Sequence, residues 1–161
     1  MDWRTLFLTA NGRIKRQDFW VGWLILLAAS IVLGFIPILG LLVHIFAFYV
    51  GVCLYSKRLH DMGRSGFLQL VPIGVTVLSF IIGGALFGAS LLSGAAAMAT
   101  ASPGAGALAF LLGGMGGFLM ILSVAGLINI AFLIWIGVTP GQTGANAYGP
   151  DPLGGDMVEV F

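Results

Sequence analysis

The chain is poor in charge. Its 161 residues include 7 Lys or Arg and 6 Asp or Glu, only 8% charged, against 59% hydrophobic residues. A soluble domain carries about 25% charged residues. So few charges cannot cover a water-facing surface, and lipid is the expected solvent for most of the molecule. Cysteine is nearly absent as well. Cys53 stands alone, which excludes an internal disulfide and leaves it as a small apolar residue inside an apolar run. Histidine occurs twice, at His44 and His60, and no carboxylate interrupts the long apolar stretches. There is no paired metal-ligand spacing, no nucleophile elbow and no phosphate loop. The expectation is a non-enzymatic protein with no metal and no cofactor. With a net charge of +1 it is not expected to bind nucleic acid.

What is present is a set of charge-free runs. No charged residue lies between Asp18 and Lys57. A single helix over Phe19 to Ser56 would extend about 57 Å at 1.5 Å per residue, against a hydrocarbon core of about 30 Å. Two spans fit, about 19–36 and 38–56, broken where Pro37 removes a backbone donor and Gly40 loosens the helix. The next charge-free stretch runs from Ser65 to Pro150. Its middle, Ser90 to Gly106, is rich in Ala, Gly and Ser and contains Pro103. It reads as an external connection with frayed helix ends, between spans at about 67–90 and 113–137. Three spans within 67–138 are the alternative, and would put the tail on the other side. Residues 1–18 followed by an apolar run could pass for a signal peptide, with Ala28-Ala29-Ser30 as its cleavage site. The chain stays apolar through Tyr55, so a retained anchor is expected.

Basic residues orient the spans. Arg4, Arg13, Lys15 and Arg16 precede the first span, and Lys57, Arg58 and Arg64 separate the second from the third. Positive charge marks the cytoplasmic side. Both termini are therefore expected in the cytoplasm, in an all-α protein of four transmembrane helices. Residues 1–152 form a single four-span domain in this reading, and 153–161 a C-terminal extension. The N-terminal segment Trp3-Arg4-Thr5-Leu6-Phe7-Leu8 reads as a short interfacial helix. Asn11-Gly12 reads as a turn into the first span, and Phe19, Trp20 and Trp23 as an aromatic belt. The tail, with Asp151, Asp156 and Glu159, reads as an extended Gly/Pro-rich segment.

Three segments on that side carry most of the polar chemistry. The first, Gly12 to Trp20, offers Arg13 and Arg16. The second, Lys57 to Gly66, offers Lys57, Arg58, His60, Asp61 and Arg64; Gly63 is placed to end a helix and Ser65 to cap the next. The third, Pro140 to Pro152, offers Asn146, Tyr148 and Asp151. A segment so rich in Gly and Pro holds a shape only by packing onto something, and the two basic segments are nearest. Three readings compete for this patch. It is a structural clamp, in which Asp61 and Asp151 pair with Arg13, Arg16, Arg58 or Arg64. Or it binds anionic lipid headgroups, at about 1 kcal/mol per interfacial basic residue. Or it takes a small anionic ligand or the tail of a partner protein.

Within the spans, His44 and Asn129 are the polar groups at mid-membrane depth. A satisfied structural histidine and an interhelical amide hydrogen bond are the bland readings. A proton or ligand path is the sharp one. Gly84 and Gly88, Ser90 and Gly94, and Gly113 and Gly117 are each four apart. Small residues at that spacing let helix backbones approach, either between spans three and four or against a neighbouring protein.

The three motifs in this order resemble domain of unknown function 805, the YhaH-like bacterial inner-membrane proteins. The resemblance rests on Gly12, Arg13, Arg16, Phe19 and Trp20; then on Arg58, Leu59, His60, Asp61, Arg64 and Ser65; then on Pro140, Gly141, Asn146, Tyr148, Gly149, Pro150, Asp151 and Pro152. It covers about 12–80 and 118–152. Ala147 stands where the family often has arginine, and about 85–117 looks like an insertion relative to shorter members. The resemblance implies a multi-pass protein of the bacterial inner membrane and supplies no activity. The function expected from all this is an accessory or scaffold protein, working through helix packing and its charged patch. Its partners are the lipid bilayer with anionic lipids, and a membrane protein or a second copy of itself. A small transporter or channel is the alternative, and a lipid-headgroup-binding or lipid-modifying protein the third.

Overall fold

The computed structural model describes residues 3–100 and 103–154. Every named element among these residues is a helix, and none is a strand. Asp156 and Glu159, to which the acidic-tail reading also referred, lie outside them, as do residues 1 and 2 of the N-terminal segment. Four helical stretches are long and apolar enough to cross a membrane: Arg16–Gly34, Leu39–Asp61, Gly66–Thr100 and Gly104–Val138. The region 67–138 thus holds two such stretches, not three. The chain divides into two compact units. One draws on the chain up to Gln69 and from Leu133 onward, and the other is Leu70–Phe132.

The first unit is built on a hairpin of α2 (Arg16–Gly34) and α3 (Leu39–Asp61). Asp18 in the first turn of α2 complements the positive end of the helix dipole. The seam buries Phe19 against the Tyr55 ring, with centroids 5.6 Å apart. A Cβ at Gly22 would stand 3.0 Å from the Leu54 side chain, so glycine there sets how closely α2 approaches α3. Leu54, Leu59, Val50 and Cys53 complete this core. α1 (Trp3–Leu8) packs on α3 and buries Leu6. Two side chains of α3 hold the end of α1: the Lys57 amine donates to the Thr5 and Leu6 carbonyls, and the Tyr49 hydroxyl to the Leu8 carbonyl at 3.0 Å.

α3 runs five residues past the expected end of its span, so Lys57, Arg58, His60 and Asp61 are helical. It stops in a Schellman motif. The Arg64 amide donates to the Leu59 carbonyl at 2.8 Å and the Gly63 amide to the His60 carbonyl at 3.0 Å. Gly63 has φ +69°, a conformation that costs glycine nothing. Ser65 then opens a 3-10 turn, Gly66–Gln69, by accepting the Phe67 amide at 3.3 Å.

The second unit contains α4 (Leu70–Thr100), α5 (Pro103–Ala109), a π-helical stretch (Phe110–Met115) and most of α6 (Gly116–Val138). The expected external connection over 90–106 is largely helix, with α4 continuing to Thr100 and α5 starting at Pro103. Alanine is the strongest helix former, and Pro at a helix start costs no hydrogen bond, so this composition extends both helices. Phe80, Phe87, Phe110 and Phe118 form a ladder of ring contacts, with centroids 5.4–6.4 Å apart.

The small-residue contacts lie in a different register from the expected one. A Cβ at Gly84, Gly88, Gly113 or Gly117 would meet nothing within 4 Å. The close approaches are at Gly83 on the Phe118 ring, at Gly94 with Gly106, and at Gly114 on Ser90. Of the six residues expected to pack, only Ser90 and Gly94 do so within this unit. Spacing of four identifies a helix face but not which face turns inward.

Candidate functional site

The three polar segments meet in the first unit, around Asp61. Arg13, from the loop before α2, donates Nε to Asp61 Oδ1 at 3.1 Å. Arg58, one turn before Asp61, donates to Oδ2. The side chains of Arg13, Arg58 and Asp61 are 1%, 0% and 5% exposed, so one carboxylate faces two guanidinium groups out of water.

The remaining guanidinium donors are spent on main-chain carbonyls. Arg58 reaches the Ile136 carbonyl at 2.8 Å and that of Thr139, at the end of α6. Arg13 reaches the carbonyls of Gln142 and of Gly144, the latter at 2.6 Å. Arg16 donates to the Val138 carbonyl at 3.2 Å, and Trp20 Nε1 to that of Gly137 at 3.2 Å. The last carbonyls of a helix lack intrahelical partners, and here cations and an indole supply them.

The tail lies across this cluster. The Gln142 amide donates to the Asp61 carbonyl at 2.7 Å. A Cβ on Gly141 would overlap the Asp61 carboxylate, with Cγ 2.6 Å away. Asn146 donates Nδ2 to the His60 carbonyl at 2.9 Å and accepts the Tyr148 amide at 2.9 Å. Asn146 and Gly149 also exchange both backbone hydrogen bonds. Tyr148 thereby stacks flat on His60, with centroids 3.9 Å apart and planes 4° apart. His60 Nδ1 lies 3.2 Å from the Gly12 carbonyl, so this ring touches all three segments.

Asp151 behaves differently from the expected clamp. It forms no ion pair among the described residues. It accepts the Gly144 amide at 2.8 Å and the Leu153 amide at 2.9 Å. These amides, with the Arg13 charge nearby, hold its carboxyl below the usual carboxylate value. Asp151 therefore shapes the tail, and among the described residues Asp61 does the pairing. Arg16 pairs with neither acid. Arg64 lies 5.3 Å over the Trp135 ring, a cation–π contact. Lys57 donates to the end of α1.

Gly141 was among the residues of the third motif; Gln142, in the same segment, and Thr139 and Trp135, at the end of the apolar run, were not singled out by sequence. A polar cleft of about 300 Å3 opens beside the cluster, lined by Thr5, Asn11, Gly12, Arg13, Asp18 and Lys57 among others. It carries both signs of charge. Among the described residues no three His, Cys, Asp or Glu side chains gather as a metal site.

His44 and Asn129 each find a partner on their own helix. His44 Nδ1 lies 2.6 Å from the Gly40 carbonyl, one turn back on its own helix. It sits five residues into α3, nearer the hairpin tip than mid-span. Asn129, in the second unit, donates Nδ2 to Thr76 Oγ1 at 3.0 Å and to the Ala125 carbonyl at 2.9 Å.

Four long apolar helices, with polar motif residues gathered into one interlocked cap, define a class: a multi-pass helical membrane protein. The chain belongs to DUF805, a family of proteins of unknown function, whose profile matches residues 7–150. No curated protein and no solved structure matches it.

Proposed function

We propose that the protein is a non-enzymatic accessory or scaffold component of the bacterial inner membrane, with its polar cap on the cytoplasmic side. One observation carries this reading. The charged motif residues at the centre of the cap are consumed in holding the chain's own tail and helix ends. Arg13, Arg16 and Arg58 bind Asp61 or main-chain carbonyls. Among the described residues no buried side-chain nitrogen or oxygen lacks a partner. Buried polar groups that are spent on the chain's own backbone and on one another support a structural platform. Basic residues at its edge, such as Lys15, add attraction to anionic lipid at about 1 kcal/mol each.

The transporter reading depended on His44 and Asn129. Each has a partner on its own helix, and Asn129 also bonds Thr76, which favours the first reading. Tagged protein extracted in mild detergent or polymer nanodiscs tests it. A defined complex or homo-oligomer is expected on sizing. A monodisperse monomer under every extraction condition, or solute flux in loaded liposomes, overturns it.

A further inference from the structure

The α2–α3 hairpin is anchored in polar surroundings at one end only. At that end stand Arg16, Asp18, Lys57 and Asp61, with Trp20, Trp23 and Tyr55 beside them and Tyr49 bonded to the Leu8 carbonyl. At the other end, Ile31 to Val43 contains no polar side chain. Phe35 and Ile38 are 85% and 81% exposed, and Val32, Leu41 and Leu42 are exposed with them. A turn that faces water is ordinarily built from Gly, Asn, Asp, Ser and Pro.

The distances do not let this tip reach far. Trp23 to Pro37 is 14 residues, about 21 Å at 1.5 Å per residue. Pro37 to Tyr49 is 12 residues, about 18 Å on the same scale. The hydrocarbon core is about 30 Å thick. With the Trp and Tyr side chains at one interface, where such residues concentrate, the tip ends short of the other by about 3 Å counted from Tyr55 and about 12 Å counted from Tyr49.

Four amides around the turn find partners within the protein, as amides in hydrocarbon must. The Ile36 amide donates to Leu33 at 3.2 Å, Leu39 to Pro37 at 2.7 Å, Gly40 to Ile36 at 2.6 Å and Leu42 to Ile38 at 3.1 Å. Pro37 has no amide. The Leu39–Pro37 bond closes a γ-turn in which Ile38 takes φ +66°, ψ −55°, a strained conformation for a β-branched residue. A Cβ at Gly40 would stand 3.2 Å from the Gly34 Cα, so the helices close tightly enough for this short link.

We infer that the α2–α3 hairpin is re-entrant: its tip, Phe35 to Leu39, ends among the acyl chains of the far leaflet and does not emerge into water. The two helices enter and leave on the same side, and the exposed tip side chains are solvated by lipid.

Single-cysteine variants in a Cys53→Ala background, reconstituted in phosphatidylethanolamine/phosphatidylglycerol vesicles, test this. Phe35→Cys is the primary site and Leu41→Cys the second, in case the first disturbs the turn. Thr143→Cys, on the exposed tail, is the water-accessible control. With vesicles opened to both sides, a membrane-impermeant maleimide should label Phe35→Cys at least tenfold more slowly than Thr143→Cys. A nitroxide at the same site should collide more often with oxygen than with a water-soluble nickel chelate. Labelling at the control rate would mean that the tip reaches water, through a thinned bilayer, and would overturn the inference. An immobilised nitroxide shielded from oxygen and nickel alike would mean that protein covers the tip, and would overturn it equally.

Discussion

Replacing Asp61 by Asn is the sharpest test of the cap. The exchange keeps the shape of the side chain and the Asp61 carbonyl that accepts the Gln142 amide. It removes the carboxylate paired with both Arg13 and Arg58, whose side chains are 1% and 0% exposed. Breaking a buried ion pair by removing one partner costs about 3–5 kcal/mol, because the other charge stays buried and uncompensated. Two charges are left here, which pushes the cost up. Each guanidinium keeps its carbonyl acceptors, Arg58 on Ile136 and Thr139 and Arg13 on Gln142 and Gly144, which pulls it down. The new amide also turns a donor toward one of the guanidinium groups. We expect a loss of about 3 kcal/mol or more, measured by SDS-titrated unfolding of purified protein in mild detergent micelles. Proteolysis within residues 140–150 should rise in parallel, since the tail is tied to Arg13. A double-mutant cycle with Arg13→Gln should give a coupling of at least about 1 kcal/mol. A loss under about 1 kcal/mol, the range of exposed pairs, with an unchanged proteolysis pattern, would refute the clamp.

Three further outcomes are expected. Gly106→Ala puts a Cβ 2.6 Å from the Gly94 carbonyl oxygen and 2.9 Å from the Met98 amide, both backbone atoms; overpacking of this kind costs about 1–3 kcal/mol, whereas Gly84→Ala and Gly88→Ala, with open space, should be neutral or stabilising by up to about 1 kcal/mol in the same unfolding assay. Ile38→Gly should raise stability by about 1 kcal/mol, because the strained φ that costs about 1–3 kcal/mol costs glycine nothing; a midpoint that falls would refute the strained turn. Asp151 is held below the ordinary carboxylate value by the Leu153 and Gly144 amides, so its contribution is fully present above that value and is lost as the pH falls through its depressed one; proteolysis of the tail should accelerate in that acid window, and Asp151→Asn should flatten the dependence.

The helical stretches were legible because a run of residues without charge can be counted, and helix rise against membrane thickness then decides the number of crossings. That reasoning placed the α2–α3 break at Pro37 and gave two stretches in 67–138. It went wrong over 90–106, where composition cannot distinguish a loop of small residues from two helices whose small residues let them close. The meeting of the three motifs was also legible, since a Gly/Pro-rich tail must borrow its order from a neighbour. Which acid pairs with which base was not. Asp61 and Asp151 look equivalent in the sequence, yet Asp61 faces two guanidinium groups while Asp151 folds back on the Gly144 and Leu153 amides.

The larger part of the cap was invisible for a physical reason. Arg13, Arg16, Arg58, Lys57, Trp20 and Asn146 all donate to main-chain carbonyls, and a carbonyl is carried by every residue alike. The donors can be read from a sequence; the acceptors cannot. This also explains why such a cap needs so many cations. α1 and α6 each end in carbonyls, and the segment after α6 carries others, that neither helix nor sheet satisfies, and in a membrane protein water is a poor substitute. A cation of fixed geometry can serve two or three of them together, as Arg13 and Arg58 do. The basic residues from which an orientation was expected are, on this argument, also what closes this polar cluster.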